Sequence, residues 1–394
     1  VQHVADALSD VEGTTVAAYS GSPPSARPQD DWAAHAQAVA RAFKRSKLQV
    51  VASTKALGIG IDNPNVRFTT HYGLPGSVEA FYQEAGRAGH HQRDAESVVI
   101  LSLRRPDRAA RLLDPETSIQ EIAGALESVR PDGADDVTRP LYFHTRAFDG
   151  IGAELQAIQP IVEKMGGQES HGSVALPWVD EPGGAGRGAN SHRRRQKALH
   201  RLVTLGVVQD YTADWSKREF RIVPGCRDAD SIGSALRAYG RSYRAGRGER
   251  LERDFSEACP AKADARVLHG ASTLLEFIYG TIELSRRRAL SEMLQAATDA
   301  LSAPEDPDLL KRRVLLYLQR TEWDHRLEKV ATEDGLTPEQ LRPLLDEVVS
   351  SGDAEELRGA AVRQLSSYPD QPAFLMLRAF AEAAVPGPDW ARVT

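Results

Sequence analysis

The sequence predicts three successive parts: an α/β lobe, a small α+β module and an all-α region. Three observations carry that prediction. Over the first hundred residues, short apolar runs alternate with helical periods, the order that builds a mainly parallel sheet. Near residue 150 the order becomes helix, strand, helix and two short strands. Beyond residue 230, apolar residues recur at three- and four-residue spacing. The boundaries read as 1–105 for the lobe, 106–149 for a helical connector, 150–230 for the module and 231–394 for the helical region.

In the lobe, a helix over Val1–Leu8 leads to a strand at Thr14–Tyr19. A loop, Ser20-Gly21-Ser22-Pro23-Pro24, precedes an amphipathic helix over Trp32–Arg45. Strands follow at Leu48–Ser53 and Val66–His71, then a helix over Val78–Ala85 and a last strand at Ser97–Leu103. In the connector, Ser118 and Glu121 have capping-box spacing, so each side chain can bond the other's backbone N–H. A polar stretch, Pro131–Thr138, ends this part.

The module reads as a helix over Ala153–Met165, a strand at Ser173–Trp178 and a Gly-rich loop, Pro182–Ala189. A helix over Ser191–Leu205 then runs into Gly206 and two strands, Val207–Tyr211 and Glu219–Val223. Helix, glycine, hairpin is the order in which a winged helix ends. The C-terminal region carries helices at Leu274–Glu283, Arg286–Leu301, Leu309–Arg320 and Phe374–Ala384. Asp306-Pro307 and Thr337-Pro338 each offer an N-cap followed by proline at the first helical position.

Composition narrows the function classes. The 394 residues are 41% hydrophobic and 26% charged, which is ordinary for a globular chain. No apolar run has the length of a membrane span, and the first 20 residues show no basic head or long apolar stretch, so no signal peptide is visible in them. Two cysteines cannot build a disulfide framework or a four-thiolate zinc site. Cytoplasm is the expected compartment, with no zinc and no membrane partner. A net charge of −6 argues against a uniformly basic nucleic-acid binder and leaves room for a local basic surface.

Two segments carry chemistry. In Val51-Ala52-Ser53-Thr54-Lys55-Ala56-Leu57-Gly58-Ile59-Gly60-Ile61-Asp62, a strand enters a glycine turn where backbone can approach a ligand and a carboxylate can accept from a hydroxyl. In Tyr82-Gln83-Glu84-Ala85-Gly86-Arg87-Ala88-Gly89, Gln83 and Arg87 are four apart. An Arg so placed can stabilise charge on a transferring phosphoryl group. These segments, about twenty residues apart, resemble motifs V and VI of superfamily-2 helicases, and most closely the RecQ-like DNA helicases. Asn63-Pro64-Asn65-Val66-Arg67-Phe68, His71-Tyr72-Gly73-Leu74-Pro75 and Ala18-Tyr19-Ser20-Gly21 share the resemblance, which covers residues 1–105.

The resemblance implies that residues 1–105 are a second RecA-like lobe, with ATP and Mg2+ bound between two lobes. It implies that Thr54 contacts a DNA phosphate, that Gly60 and Asp62 serve the nucleotide, with Asp62 on the ribose, and that Gln83 and Arg87 face the triphosphate. The whole enzyme would couple ATP hydrolysis to 3′→5′ translocation and unwinding, on single-stranded and duplex DNA. Two departures qualify this. The chain has no Gly-x-x-x-x-Gly-Lys-[Ser/Thr] loop, so the first lobe, which holds most of the ATP and Mg2+ site, is expected upstream of Val1 and the chain alone is expected to be inactive. The acidic pair Asp180-Glu181 reads as loop.

The second departure is His90, which stands where the family carries its final Arg. Either Arg87 suffices with help from Arg93, or hydrolysis is slowed, or the lobe is an inactive relative. That last possibility supports an alternative reading, a non-enzymatic DNA-binding or scaffold protein. Adjacent His90 and His91 do not make a metal pair.

The helix Ser191–Leu205 opens with His192-Arg193-Arg194-Arg195-Gln196-Lys197. With Ala198, Leu199, Leu202 and Leu205 as its buried face, Arg194, Arg195 and Lys197 are candidate phosphate contacts, against the alternative of a solvated basic face. Arg286-Arg287-Arg288 and Lys311-Arg312-Arg313 read as solvated helix faces.

Overall fold

The computed structural model describes residues 1–11, 13–23, 29–58, 63–89, 94–102, 104–127, 135–166, 172–178, 188–243, 246–319, 321–331, 338–369 and 371–384. Two compact units divide at Ser102/Leu103. Among the described residues no helix is long and apolar enough to cross a membrane.

The first unit runs α1 (Gln2–Ser9), β1 (Val16–Tyr19), α2 (Gln29–Lys44), β2 (Val50–Ser53), β3 (Phe68–Tyr72), α3 (Val78–Ala85) and β4 (Glu96–Ile100). The expected parallel pairing is present as two pairs. β1 lies parallel to β2 with Val16 opposite Val50, and β3 parallel to β4 with Phe68 opposite Glu96. No further strand joins either pair among the described residues. Ala5, Ala18 and Trp32 form a small core that fastens α1 and α2 to β1. The Trp32 indole donates to Ser20 O at 2.8 Å, which orders the start of the loop after β1.

The second unit begins with α4 (Pro106–Leu113), α5 (Ile119–Glu127) and α6 (Thr138–Ala147). The Ser118–Glu121 capping box forms: Ser118 N donates to Glu121 at 2.9 Å and Glu121 N to Ser118 Oγ at 3.2 Å. α5 packs on α6. Next come α7 (Ile151–Gly166), β5 (Val174–Pro177), α8 (Gly188–Thr204), β6 (Val208–Asp214) and β7 (Glu219–Pro224). The three strands form an antiparallel sheet in the order β5-β7-β6.

α8 lays Ala198, Leu199, Leu202 and Leu205 inward, as its spacing predicts, while α7 buries Ile158, Ile161, Val162 and Met165. The two helices pack together. α8 stops because Gly206 takes φ +70°, a left-handed conformation that glycine adopts without Cβ strain. Gly206 N then bonds Val203 O at 2.9 Å and Val207 N bonds Leu202 O at 3.0 Å, the paired bonds of a Schellman ending that launch β6.

The remainder is helical: α9 (Ala229–Tyr243), α10 (Arg247–Glu257), α11 (Ala263–Phe277), α12 (Leu284–Ser302), α13 (Leu309–Leu318), α14 (Glu322–Ala331), α15 (Pro338–Asp346), α16 (Ser351–Ser367) and α17 (Pro372–Ala384). Trp323, Leu327, Leu357, Leu365, Phe374 and Leu377 centre its core.

Three expectations are corrected here. Leu274–Glu283 is not a separate helix, because a π segment, Ile278–Glu283, joins α11 to α12 without a break. Asp306 does not cap α13; the helix starts at Leu309, and Asp306 instead accepts from Arg312 at 2.9 Å. The arginine runs are not uniformly solvated, since Arg287 is buried and Arg313 lies 3.4 Å from Asp299 with both side chains largely covered. Thr337 and Asp180-Glu181 lie outside the described residues.

Candidate functional site

Thr54 sits exposed where β2 ends. Its N–H bonds Tyr19 O at 3.1 Å, so the first strand pair fixes its backbone. A 3-10 turn, Lys55–Gly58, follows, with Leu57 buried beneath it. The Asn63 side chain is buried; it donates to Phe43 O at 2.7 Å and accepts from Asn65 N at 2.9 Å. That explains the asparagine: it closes the loop between the motifs against the end of α2. Gly60 and Asp62 lie outside the described residues, as do His90, His91 and Arg93.

α3 starts at Ser77, whose hydroxyl accepts from Ala80 N at 3.1 Å, and it buries Val78 and Phe81. Gln83 faces solvent in its last turn. Arg87 lies in the turn just beyond α3, half-buried, and Gly89 N bonds Val66 O at 3.3 Å to tie that turn to the entry of β3. The four-residue spacing would put Gln83 and Arg87 on one helix face, but α3 ends at Ala85, so Gln83 lies in its last turn and Arg87 in the turn beyond it.

Between them stands a residue that motif reading assigned no role. Glu84 Oε2 lies 3.1 Å from His71 Nε2, and the His71 ring packs on Phe81 with centroids 5.0 Å apart. The hydrogen bond from His71 holds the Glu84 carboxyl below the ordinary carboxylate value against the opposing effect of burial, and the charges of Lys55, His71 and Arg87 add to the lowering. A Cβ placed on Gly76 would meet Lys55 Nζ at 3.3 Å, so the Lys55 ammonium lies against the backbone just before α3. One cation from each motif thus acts on the same carboxylate. The sequence signal for this was thin: His71 and Glu84 are thirteen apart and on different elements.

In the module, the three basic side chains expected to face a phosphate backbone are not equivalent. Arg195 is 7% exposed and donates to Pro177 O, pinning α8 to β5. Lys197 donates to Asp149 at 2.7 Å and to Ala147 O at 2.9 Å. Both are fixed within the protein because the helix face that buries Leu199 and Leu202 carries them toward neighbouring backbone. Arg194 and Arg193 are the exposed ones.

Sequence reading also missed Trp215. It is 72% exposed at the turn between β6 and β7, and its ring meets Trp178 edge-on with centroids 4.7 Å apart. Asp214 Oδ1 accepts from Ser216 Oγ at 2.6 Å and Lys217 N at 3.1 Å, which locks that turn. His192, from the first turns of α8, stacks on Phe220 at 5.1 Å and approaches Trp178 at 4.4 Å. The hairpin tip and the start of α8 are therefore one surface. A tryptophan in a polar turn between two strands was the available signal.

A family model described as helicase conserved C-terminal domain matches residues 12–92. An ATP-dependent DNA helicase RecQ from Pasteurella multocida is 40% identical over 100 residues, 25% of this chain and 14% of that protein. The ATP-dependent DNA helicase Q-like SIM of Arabidopsis thaliana is 45% identical over 115 residues, 29% of this chain and 12% of its own length. The RecQ-like DNA helicase blm-1 of Caenorhabditis elegans is 40% identical over 76 residues, 19% of this chain and 8% of its own. This chain spans only that small share of each relative. Motif spacing, the α3 turn and the relatives agree: over the part they cover, this chain is similar to the conserved C-terminal domain of the RecQ-like superfamily-2 DNA helicases.

Proposed function

We propose that residues 1–102 act as the second, RecA-like motor lobe of an ATP-dependent RecQ-like DNA helicase, and that the stretch from α7 to β7 is a winged helix that meets DNA. The observation that carries the motor reading is the match of the helicase conserved C-terminal domain to residues 12–92, a span that takes in both motifs, Lys55 and Arg87 included. A triphosphate is, in this reading, the anion that competes with Glu84 for the charges of Lys55 and Arg87. In this reading Gln83 and Arg87 face the phosphates, Gly60 and Asp62 serve the nucleotide and Thr54 takes a DNA phosphate. ATP supplies the phosphoryl transfer that powers movement; a first lobe supplies the phosphate-cradling loop and most of the Mg2+ site. Translocation runs 3′→5′ in the cytoplasm, on single-stranded and duplex DNA.

The test is phosphate release under saturating single-stranded DNA, with the chain alone and with the chain joined to a RecQ-like first lobe. The chain alone gives no turnover. The joined protein turns over, and Arg87→Ala lowers its rate by roughly 10³–10⁵. Turnover by the 394 residues alone would refute the two-lobe account. His90, in place of the family's final Arg, favours one second reading: a DNA-binding scaffold on a decayed lobe. That reading expects DNA binding and no turnover even when a first lobe is joined.

A further inference from the structure

α6 buries Thr138 and Leu141 and turns Arg139, Tyr142, Phe143 and Arg146 to solvent. Phe143 is 65% exposed and Tyr142 43%. Their rings meet edge-on with centroids 5.6 Å apart, and the Arg146 guanidinium lies 4.5 Å over the Tyr142 ring. Each ring is thus held by a neighbour, yet most of Phe143 remains in water.

The basic helix α8 leads to the same place. Arg201 pairs with Glu154 at 2.8 Å, and Lys197, one turn earlier, pairs with Asp149 and with Ala147 O at the end of α6. Followed toward its N-terminus, this stripe of α8 steps from α7 back to α6. The next position on it is Arg194, which is exposed and lies a further turn along. Among the described residues, Glu154 is engaged by Arg201, Asp149 by Lys197, Glu283 by His144 and Arg287, and Asp135 by Thr138. Arg139 and Arg146 on α6 and Arg194 on α8 are exposed.

We infer that this face of α6, with Arg194, is a binding surface for single-stranded DNA, in which an unpaired base stacks on Phe143 beside the Tyr142–Arg146 pair and flanking phosphates meet Arg139 and Arg194. Exposed rings interleaved with arginines match a strand that offers base faces and phosphates together. Duplex DNA keeps its base faces stacked inside and cannot use Phe143. The inference rests on the DNA reading above and adds a site outside both the motor lobe and the hairpin tip.

The test uses the 394-residue chain and two labelled oligonucleotides of about 15 nucleotides, within the usual span of single-strand sites. One is oligo-dT; the other is an abasic strand of the same length. Phe143→Ala is expected to weaken oligo-dT binding about tenfold and leave the abasic strand unchanged, while Phe143→Trp keeps wild-type affinity. Arg194→Ala weakens both strands alike and flattens the salt slope by about 0.7. Photo-crosslinking of wild type to a 5-iododeoxyuridine strand, which does not depend on a variant folding, is expected to label the α6 peptide. Wild-type affinity of Phe143→Ala for oligo-dT, an equal loss on both strands, or crosslinks confined to the Trp215 hairpin would overturn the inference and leave the DNA reading standing. Absence of binding by wild type to either strand would overturn both.

Discussion

Arg287 offers the sharpest test of how the second unit is held together. Its guanidinium donates to Asp114 O at 2.8 Å, to Pro115 O at 3.3 Å, to Thr117 O, and to Glu283 Oε2 at 3.1 Å. The Arg287 and Glu283 side chains are 4% and 5% exposed. One side chain of α12 therefore closes the turn between α4 and α5 against the long helix, and that turn cannot be a free connector. Arg287→Met keeps the stem and removes the donors, leaving a buried carboxylate and several carbonyls short of partners. Removing one member of a buried pair costs about 3–5 kcal/mol. For a unit of this size each kcal/mol moves Tm by about 2–4 °C, so the expected fall is on the order of 10 °C. Adding Glu283→Leu should recover part of it, because the stranded carboxylate goes, and the recovery stays partial because His144 then loses its partner at 2.8 Å. The assay is calorimetry of wild type, both single variants and the double. A Tm fall under about 2 °C for Arg287→Met would show that water satisfies these carbonyls, and the packing argument would fail.

Two further outcomes follow from the site. Glu84 is held below its ordinary carboxylate value, so its pair with His71 stabilises the folded lobe above the unfolded carboxylate range and loses that contribution as pH falls through the folded value; Glu84→Gln should flatten the acid limb of a Tm-against-pH curve, and an unchanged limb would remove Glu84 from the site's electrostatics. Arg195→Ala should lower Tm while leaving the salt slope of duplex binding unchanged, because its guanidinium is spent on Pro177 O, whereas Arg194→Ala should leave Tm alone and flatten that slope by about 0.9. The reverse pattern would return all three basic residues to the DNA face.

Local signals in the sequence were legible where the chain's own periodicity decides the outcome. The apolar stripe of α8, the Ser118–Glu121 box and the strand pairs are of this kind. α16 was hidden because it is buried on nearly every side, so no stripe marks it, and its capping box closes with Asp353, shorter than the usual Glu or Gln. α9 and α10 were hidden by composition: α10 is mostly charged, and what holds the two together is close backbone approach. A Cβ on Gly240 would come within 2.8 Å of Gly248 Cα, a contact that only glycine permits. The site residues split in the same way. Motif spacing singled out Gln83 and Arg87, but it did not foresee that α3 stops before Arg87, and the fate of each basic side chain of α8 depended on which carbonyl or carboxylate the fold brought to it. Arg195 and Lys197 found partners, while Arg194 stays exposed.

The π segment explains why those partners lie where they do. Its turn holds one residue more than an α-helical turn, which re-phases α12 relative to α11. On one side of it, Tyr279 donates to Glu154 at 2.7 Å and accepts from Gly150 N at 2.6 Å. Burial, then the charge of Glu154, push the Tyr279 hydroxyl far above its ordinary value, so it stays a donor at any pH the protein meets. On the other side, Glu283 reaches His144 on α6 and Arg287 one turn on. Residues four apart thus grip the start of α7 and the last turn of α6, while Lys197 of α8 holds Asp149 and Ala147 between them. The α6–α7 junction is fixed by two helices at once. That rigidity lets an exposed Phe143 meet a base at low entropic cost, and it ties the geometry of the proposed DNA face to a six-residue irregularity in a neighbouring helix.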